Sequence, residues 1–369
     1  MADKQLKVAI VCDWLTGYGG AERVVYELHQ LYPEAPIYTS QYDPSKIDWF
    51  NDADIRTTWL QKLPKSLKKF LPALRAISFS RLDLSDYDLV ISSSGAEAKG
   101  VHTGPNTTHI CYCHSPTHYY WVRYDEYLKN PGFPKGLNWL AKIGLRILVG
   151  PLRSWDHRAA QKPNYIIANS SHTQKMIQKF YGRESTVIFP PVETDRFKLP
   201  AKQDLRHGFV VAGRQTPYKR FDLAITACNE LKVPLVVIGD GPDHKRLEKL
   251  AGRSVTFLSN VNDSDMAGHF QSALGFIMPN MDDFGIVAVE ALASGTPVIA
   301  YKAGGSLDYL SPPTNGVYFN EQTPESLQSA LEQVMSKTFN YEAVAKSAQK
   351  FSVASFSKNI KEFIAKKTT

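Results

Sequence analysis

Two successive sets of short, β-branched apolar runs, separated by helix-like stretches, constrain this chain more than any other feature. The first set is LKVAIVC (6–12), PIYT (36–39), DLVISS (88–93), THICYC (108–113), NYIIAN (164–169) and STVIFP (185–190). The second is GFVVAG (208–213), PLVVIG (234–239), VTFLS (255–259), LGFIMP (274–279), TPVIA (296–300) and GVYF (316–319). Such runs, bounded by turn residues, read as strands covered on both faces, which is the pattern of parallel sheets. Two sets predict an α/β chain of two doubly wound, Rossmann-like domains. At 369 residues the chain also exceeds what one core usually supports. The polar, Pro-containing stretch 190–208 holds the boundary. It places a first domain at 1–195 and a second at 196–353, with a closing helix at about 354–369 that packs back on the first. In open α/β sheets ligands bind beyond the carboxyl ends of the strands. Two domains facing each other therefore predict a cleft, with the informative residues just after strands.

Composition narrows the class. Hydrophobic content of 43% and charged content of 21% are those of a soluble globular chain. The opening MADKQ lacks a signal-peptide pattern, and no apolar run of about 18 residues predicts a membrane span, so a cytoplasmic place is expected. Of the four cysteines, Cys12, Cys111 and Cys113 lie in strand-like runs and Cys228 in a helix-like one, which reads as buried free thiols in a reducing compartment. CYCH at 111–114 lacks a second Cys/His pair at finger spacing, so no metal site is expected there. A net charge of +7 admits nucleic acid, an anionic membrane face or a phosphorylated substrate. No RNP-like aromatic motif supports nucleic acid.

Several loops that follow strands carry chemistry. GYGGAER (17–23) opens a helix after the first strand, and amides at Gly19 and Gly20 suit a phosphate. Glu22 stands where the dinucleotide fingerprint needs its third glycine, so a dehydrogenase is disfavoured, and a plain tight turn fits the loop as well. GRQTPYKR (213–220) puts Gly213, Arg214 and Lys219 after the first strand of the second set, where two cations suit a leaving diphosphate. CHSP (113–116) ends a strand at His114, ahead of the aromatic cluster HYYW (118–121). YKAGGSLDYL (301–310) sets Gly304 and Gly305 at another strand–helix junction, as a turn or as amides near a phosphate. DSD (263–265) has the look of a metal-binding D-x-D but sits where caps are ordinary, and is read as capping.

LPKSLKKFLPALRAI (63–77) interleaves apolar positions with Lys65, Lys68, Lys69 and Arg75. It reads as a basic amphipathic surface helix, broken or kinked at Pro72, with Lys65, Lys68, Lys69 and Phe70 toward a membrane surface. An ordinary helix packed on its own domain fits equally. GLNWLAKIGLRILVGPLR (136–153) has the same character.

MDDFGIVAVE (281–290) holds Asp282 and Glu290 eight positions apart. If mostly helical, the stretch separates them by about 12 Å. That exceeds the roughly 5–9.5 Å of paired glycosidase carboxylates and suits two ends of a long polar ligand. One N-cap aspartate and one surface glutamate fit the spacing too.

Taken in order, GGAER (19–23), CHSP with HYYW, WDHRAA (155–160), IIANSSHT (166–173), VIFPPVETDRF (187–197), GRQTPYKRFDLAI (213–225), VIGDGP (237–242) and DDFGIVAVEALASGTPVIAY (282–301) resemble the family-4 glycosyltransferases of the GT-B fold. The closest likeness is to bacterial mannosyltransferases of surface polysaccharide synthesis, over nearly the whole chain. The resemblance implies a retaining transferase with no metal and no cofactor beyond a nucleotide sugar. GDP-mannose is its expected donor and a lipid-linked or glycan molecule its acceptor, with peripheral contact to the inner face of the cell membrane. Glu290 matches the acid that binds the nucleotide ribose. Asp282 stands where the family has a glutamate for donor-sugar hydroxyls, one methylene shorter. Phe284, Gly285, Ile286 and Val287 match the amides at sugar and phosphate, and Arg214 and Lys219 the diphosphate-binding pair. Gly20 matches the N-terminal glycine loop, and His114 the histidine at the donor sugar. A UDP-sugar transferase, an epimerase on the same fold and an inactive nucleotide-sugar or membrane-surface binding module are the alternatives.

Overall fold

The computed structural model describes residues 6–63, 72–129, 138–199 and 206–368. The chain divides into two compact units, Met1–Phe189 with Ser357–Thr369, and Pro190–Phe356. In the first, β1 (Val8–Cys12), β2 (Ile37–Thr39), β3 (Ile55–Thr57), β4 (Leu89–Ser94), β5 (Thr108–Cys113), β6 (Tyr165–Ala168) and β7 (Thr186–Val187) form a seven-stranded sheet. Its order is β3-β2-β1-β4-β5-β6-β7. In the second, β8 (Phe209–Ala212), β9 (Leu235–Ile238), β10 (Val255–Leu258), β11 (Gly275–Met278), β12 (Val298–Tyr301) and β13 (Gly316–Phe319) form a six-stranded sheet ordered β10-β9-β8-β11-β12-β13. Every strand pairing in both sheets is parallel.

The central strands are the apolar runs of the sequence. All five residues of β1 and all six of β4 are buried, because helices cover both faces of the sheet. On one side Ala9, Val11 and Val90 pack with Phe79, Leu84, Ala98 and Val101. Farther along, Cys111, Cys113, Ile166 and Ala168 pack with Ala160, Ile177 and Tyr181. Each fully buried Val, Leu or Ile contributes about 1.5–3 kcal/mol, so these layers fix the strand order. All four cysteines are buried and free. Only β3 escaped the sequence reading. It is three residues long and partly exposed at the sheet edge, so it carries no apolar run.

The units divide at Phe189/Pro190, ahead of the expected 195/196. The cause is a bridge between Val192 and Ser352, in which Val192 N–H donates to Phe351 O (2.9 Å) and Val353 N–H to Val192 O (3.2 Å). These bonds tie the 190–195 stretch to the second unit. At the other end of the chain, Phe363 meets the Tyr165 ring edge-on at 6.3 Å within the first unit.

Both sheets reverse their winding beside their first strand, between β1 and β4 and between β8 and β11. A crevice opens at the carboxyl ends of such strand pairs, and that is where an α/β sheet binds ligands.

Candidate functional site

In the second unit the chain leaves β8 through Gly213, whose φ of +137° favours glycine. It then forms a 3₁₀ turn, Pro217–Lys219, with the proline at its start. Gln215, wholly buried between them, clamps this loop. Its Nε2 donates to Gly239 O at 2.7 Å, its amide to Asp240 O at 2.9 Å, and its Oε1 lies 2.7 Å from His244 Nδ1. A Cβ on Gly239 or Gly241 would overlap the carbonyls of Gly213 and Gln215, so the glycines of VIGDGP exist for this close approach.

β11 runs into Pro279, Asn280 and the loop to Gly285. Lys219 Nζ lies 2.5 Å from Asp282 Oδ2, and the two side chains are only 18% and 19% exposed. The cation and the acid that the sequence singled out separately are thus partners. The 281–290 stretch is not mostly helical, contrary to the geometry assumed for its two acids. Its helix, Ile286–Ala293, begins only after Gly285, which takes φ +97° at the N-cap. A Cβ there would stand 3.1 Å from Met278 Cε and Tyr309 Oη. No side chain caps this helix, and the first amides of a helix have no carbonyl of their own turn to meet. Glu290 follows on the same helix, half-buried.

Phe284 turns its side chain inward against Tyr309 (5.9 Å) and Phe351 (5.4 Å), so only its backbone can serve a ligand. Gly305 donates its amide to Asp282 O at 2.9 Å, and a Cβ on Gly304 or Gly305 would overlap the Asp282–Phe284 backbone. These glycines therefore brace the Asp282 loop. The alternative of a phosphate contact does not hold for the Gly305 amide.

Gly213, Lys219, Asp282, Gly285, Ile286 and Val287 line one pocket together with Asn280. Arg214 is exposed on the same loop, outside that lining. Sequence reasoning missed Asn280. It is 3% exposed, and neither Nδ2 nor Oδ1 has a hydrogen-bond partner. A buried carboxamide with both ends unmet costs about 1–3 kcal/mol for each polar group, unless a ligand meets it. Its place, just beyond a central strand at the switch point, was the available signal.

The first unit uses its strand ends differently. Asp13, just after β1, is buried and accepts from the amides of Gly95 (2.8 Å), Ala96 (3.0 Å) and Ala98 (2.8 Å). Burial, with the Glu97 charge second, pushes its carboxyl above the ordinary range. Glu97 accepts from Arg75 Nε (2.7 Å), Tyr119 OH (2.5 Å) and Tyr120 OH (3.2 Å). Lys99 Nζ lies 2.7 Å from Asp156 Oδ1. Asp156 also takes Thr117 Oγ1 (2.9 Å), Trp121 Nε1 (2.7 Å) and Tyr181 OH (2.7 Å). The HYYW and WDHRAA motifs thus meet GAEAKG in one buried polar network. None of Asp13, Glu97, Lys99 and Asp156 was singled out from sequence, since their partners lie tens of residues away.

This network holds the loop behind His114. The histidine's Nε2 is 2.7 Å from Ser93 Oγ, and its carbonyl accepts from Asn169 Nδ2 (2.9 Å) and Thr173 Oγ1 (3.3 Å). Arg75 is buried in the network and not on a basic surface, so residues 72–80 pack on their own unit. Lys65, Lys68, Lys69 and Phe70 lie outside the described residues.

Gly19 is the uncapped N-cap of the helix Gly20–Leu31. Glu22 folds back over it, so that a Cβ on Gly19 would stand 2.6 Å from Glu22 Oε2. Burial raises the Glu22 carboxyl from near 4.5 to about 7. The glycine-loop amides therefore face an acid of their own helix before any phosphate. At DSD the cap is Asn262, whose Oδ1 accepts from Asp265 N–H at 2.9 Å, and the DSD residues open the helix Asp263–Ser272. Among the described residues, no three His, Cys, Asp or Glu side chains group as metal ligands.

The family model described as glycosyl transferases group 1 matches residues 192–351, and the model of Glycosyltransferase Family 4 matches residues 18–196. The chain belongs to the family-4 glycosyltransferases. An uncharacterized glycosyltransferase of Methanocaldococcus jannaschii is 29% identical over 158 residues, 40% of each chain. The GDP-mannose-dependent alpha-(1-6)-phosphatidylinositol monomannoside mannosyltransferase of Mycobacterium tuberculosis is 27% identical over 196 residues, 45% of this chain and 51% of that one. The match thus spans about half the length, or less, of these curated relatives. The alpha-1,3/1,6-mannosyltransferase ALG2 of Candida glabrata is 24% identical over 377 residues, 83% of this chain and 78% of that one.

Solved structures agree with this family-4 chain over its whole length. The sucrose-phosphate synthase of Thermosynechococcus elongatus superposes with a TM-score of 0.72 at 15% identity, covering 98% of this chain and 99% of that one. Anabaena HepE, solved with UDP and glucose, gives 0.67 at 17% identity, covering 98% and 100%. They show the fold, two Rossmann-like domains of the GT-B class. The family-4 motifs divide between the two kinds of loop described above. Those of the second unit line a pocket, and those of the first build a buried polar scaffold.

Proposed function

We propose that this chain is a retaining, metal-independent glycosyltransferase that moves mannose from GDP-mannose to a lipid-linked or glycan acceptor. One observation carries the reading. After β8 and β11, a lysine, a carboxylate, an uncapped helix N-terminus and an unpartnered carboxamide line a single pocket. The mannosyltransferase relatives, one of them GDP-mannose-dependent, support the choice of donor. The charge of +7 suits an acceptor presented at an anionic membrane face.

In the proposed reaction an acceptor hydroxyl oxygen bonds to the anomeric carbon as the bond from that carbon to the diphosphate breaks. Negative charge grows on the leaving diphosphate. Lys219 and Arg214 meet it with cations, and the amides of Ile286 and Val287 with the positive end of their helix. These groups supply the charge that a metal supplies elsewhere. The departing diphosphate oxygen takes the acceptor's proton on the face where the new bond forms, so configuration is kept and no strong protein base is needed. Asp282 holds donor-sugar hydroxyls and positions Lys219. Asn280 offers a donor and an acceptor to one further hydroxyl, and Glu290 accepts from the ribose. His114, its ring set by Ser93 in the first unit, takes the role at the donor sugar that the family resemblance gives it.

The test is slow donor hydrolysis by the pure protein, with GDP-mannose, UDP-glucose and UDP-N-acetylglucosamine compared in EDTA. The reading expects GDP-mannose to be hydrolysed fastest and EDTA to leave its rate unchanged. Preference for a UDP-sugar would overturn the donor, and activity lost in EDTA but restored by manganese would overturn the metal-free chemistry.

A further inference from the structure

The loop that carries Gly19 and Gly20 also carries Tyr18, which is 58% exposed. Single exposed aromatic residues are ordinary on a protein surface. What sets Tyr18 apart is how firmly it is held. Its hydroxyl donates to Asp48 Oδ1 at 2.7 Å, and the Asp48 amide donates to the same hydroxyl oxygen at 3.3 Å. Its ring meets the Trp49 indole edge-on, with centroids 4.9 Å apart and an interplanar angle of 62°. Trp49 is clamped in turn, with the Arg23 guanidinium 3.9 Å over its ring and Tyr26 5.6 Å away. Tyr26 leans on Phe50, which is buried. A line of contacts thus runs from the core to a phenol ring that stays open to solvent. Fixing a side chain costs conformational entropy, and here little burial offsets it. Asp48 is exposed beside the ring. One of its oxygens takes the Tyr18 proton, and a carboxylate has about four acceptor positions on its two oxygens.

We propose that Tyr18 and Asp48 form a sugar-binding subsite that seats one pyranose ring of the acceptor. The electron-rich face of the phenol attracts the C–H groups that line one face of a pyranose, and Asp48 accepts from hydroxyls at that ring's edge. The pair is held in place beforehand, so the ordering cost is met before the sugar arrives. The other exposed residues of 17–20 and 45–48 are Gly19, Gly20, Ser45 and Lys46, none with a large apolar side chain. That border suits a hydroxyl-rich ligand, and not an acyl chain or an apolar protein face. The proposal rests on the transferase reading above and narrows its acceptor. The saccharide part of the acceptor, and not its lipid, is what this loop reads.

The test is saturation-transfer NMR of the full chain with methyl α-mannopyranoside, methyl β-glucopyranoside and methyl β-galactopyranoside, each titrated to a dissociation constant. The intact chain is expected to bind at least one of them, with transfer strongest at the C–H protons of a single ring face. Tyr18→Ser should weaken that binding about fivefold or more, because the stacking face is gone. Tyr18→Phe keeps the ring and should stay within about twofold of the intact chain. Asp48→Asn should weaken binding at least about threefold, because the hydroxyls lose a charged acceptor. Thermal unfolding should be nearly unchanged in all three, since these side chains lie at the surface. None of these measurements uses donor or turnover, so a wrong donor sugar would leave them readable. Three results would each overturn the proposal. The intact chain could bind none of the three glycosides. Tyr18→Ser could bind as well as the intact chain. Or Tyr18→Phe could lose as much as Tyr18→Ser, which would put the contact on the hydroxyl and not on the ring face.

Discussion

Lys99 and Lys219 occupy comparable places in two similar sheets, each just past a strand at the switch point, yet they do opposite work. Lys99 is 2% exposed and pairs with an Asp156 that is wholly buried, inside a network closed by tyrosine, threonine and tryptophan donors. Lys219 pairs with Asp282 at the wall of a pocket, with both side chains partly open to solvent. The first unit spends its charges on fixing loop shape, and the second leaves them within reach of a ligand. One topology can thus supply a buried scaffold and an open pocket by changing only how deeply the strand-end charges sit.

The difference is sharpest in stability. Lys99→Met strands a buried carboxylate, and breaking such a pair costs about 3–5 kcal/mol. Denaturant unfolding should show that loss. Lys219→Ala should change stability by no more than about 1 kcal/mol, because its pair is partly solvated. If the two variants unfold alike, the contrast between scaffold and pocket fails.

Activity should reverse the order. Lys219→Ala and Arg214→Ala each remove a charge-assisted contact worth about 1.5–3 kcal/mol, so transfer should fall at least about tenfold in each while the fold survives. Turnover near that of the intact chain in both would break the comparison from the other side.

The strands were readable because burial on both faces writes itself into sequence as apolar runs. Edge strand β3 was not, being short and half polar. Lys219, Asp282 and Gly285 were legible as residues at strand ends, but the Lys219–Asp282 pair was not, since it joins loops 63 positions apart. The roles of Gly304 and Gly305 came from backbone contact, which no one-dimensional pattern separates from phosphate binding. The network of Glu97, Lys99 and Asp156 left only scattered charges in sequence. Asn280 could be placed from sequence only as a residue just past a strand, because its unmet carboxamide is a property of packing alone.

That lack makes Asn280 the next probe. Asn280→Ala removes both unmet groups, so the ligand-free chain should become more stable, by about 1–3 kcal/mol once lost packing is set against the relief. Donor hydrolysis should slow by roughly tenfold, and discrimination between mannose and its epimers should weaken, because a site that loses a hydroxyl partner loses selectivity. Unchanged kinetics would remove Asn280 from the pocket's function.

The smallest expected effect lies at Glu22. Its folded carboxyl titrates at about 7 against an ordinary value near 4.5, so the folded state holds the proton more tightly. The contribution of this group is most favourable below pH 4.5 and is lost as pH rises from there through about 7. Glu22→Gln should therefore stabilise the chain at pH 8 by about 1–2 kcal/mol after allowance for solvent screening, and hardly at all at pH 4. Equal stabilisation at both pH values would mean that Glu22 is not held as a raised acid over Gly19.

The central claim is that Asp282, at the second unit's pocket, and Glu290, farther along the helix that starts there, grip opposite ends of one donor. Calorimetry with GDP and with GDP-mannose, on Asp282→Asn and on Glu290→Gln, tests it most directly. The account predicts that Glu290→Gln weakens both ligands, because both carry the ribose. It predicts that Asp282→Asn leaves GDP affinity nearly unchanged and weakens only the sugar nucleotide. An Asp282→Asn variant that loses GDP as severely as Glu290→Gln does would contradict it.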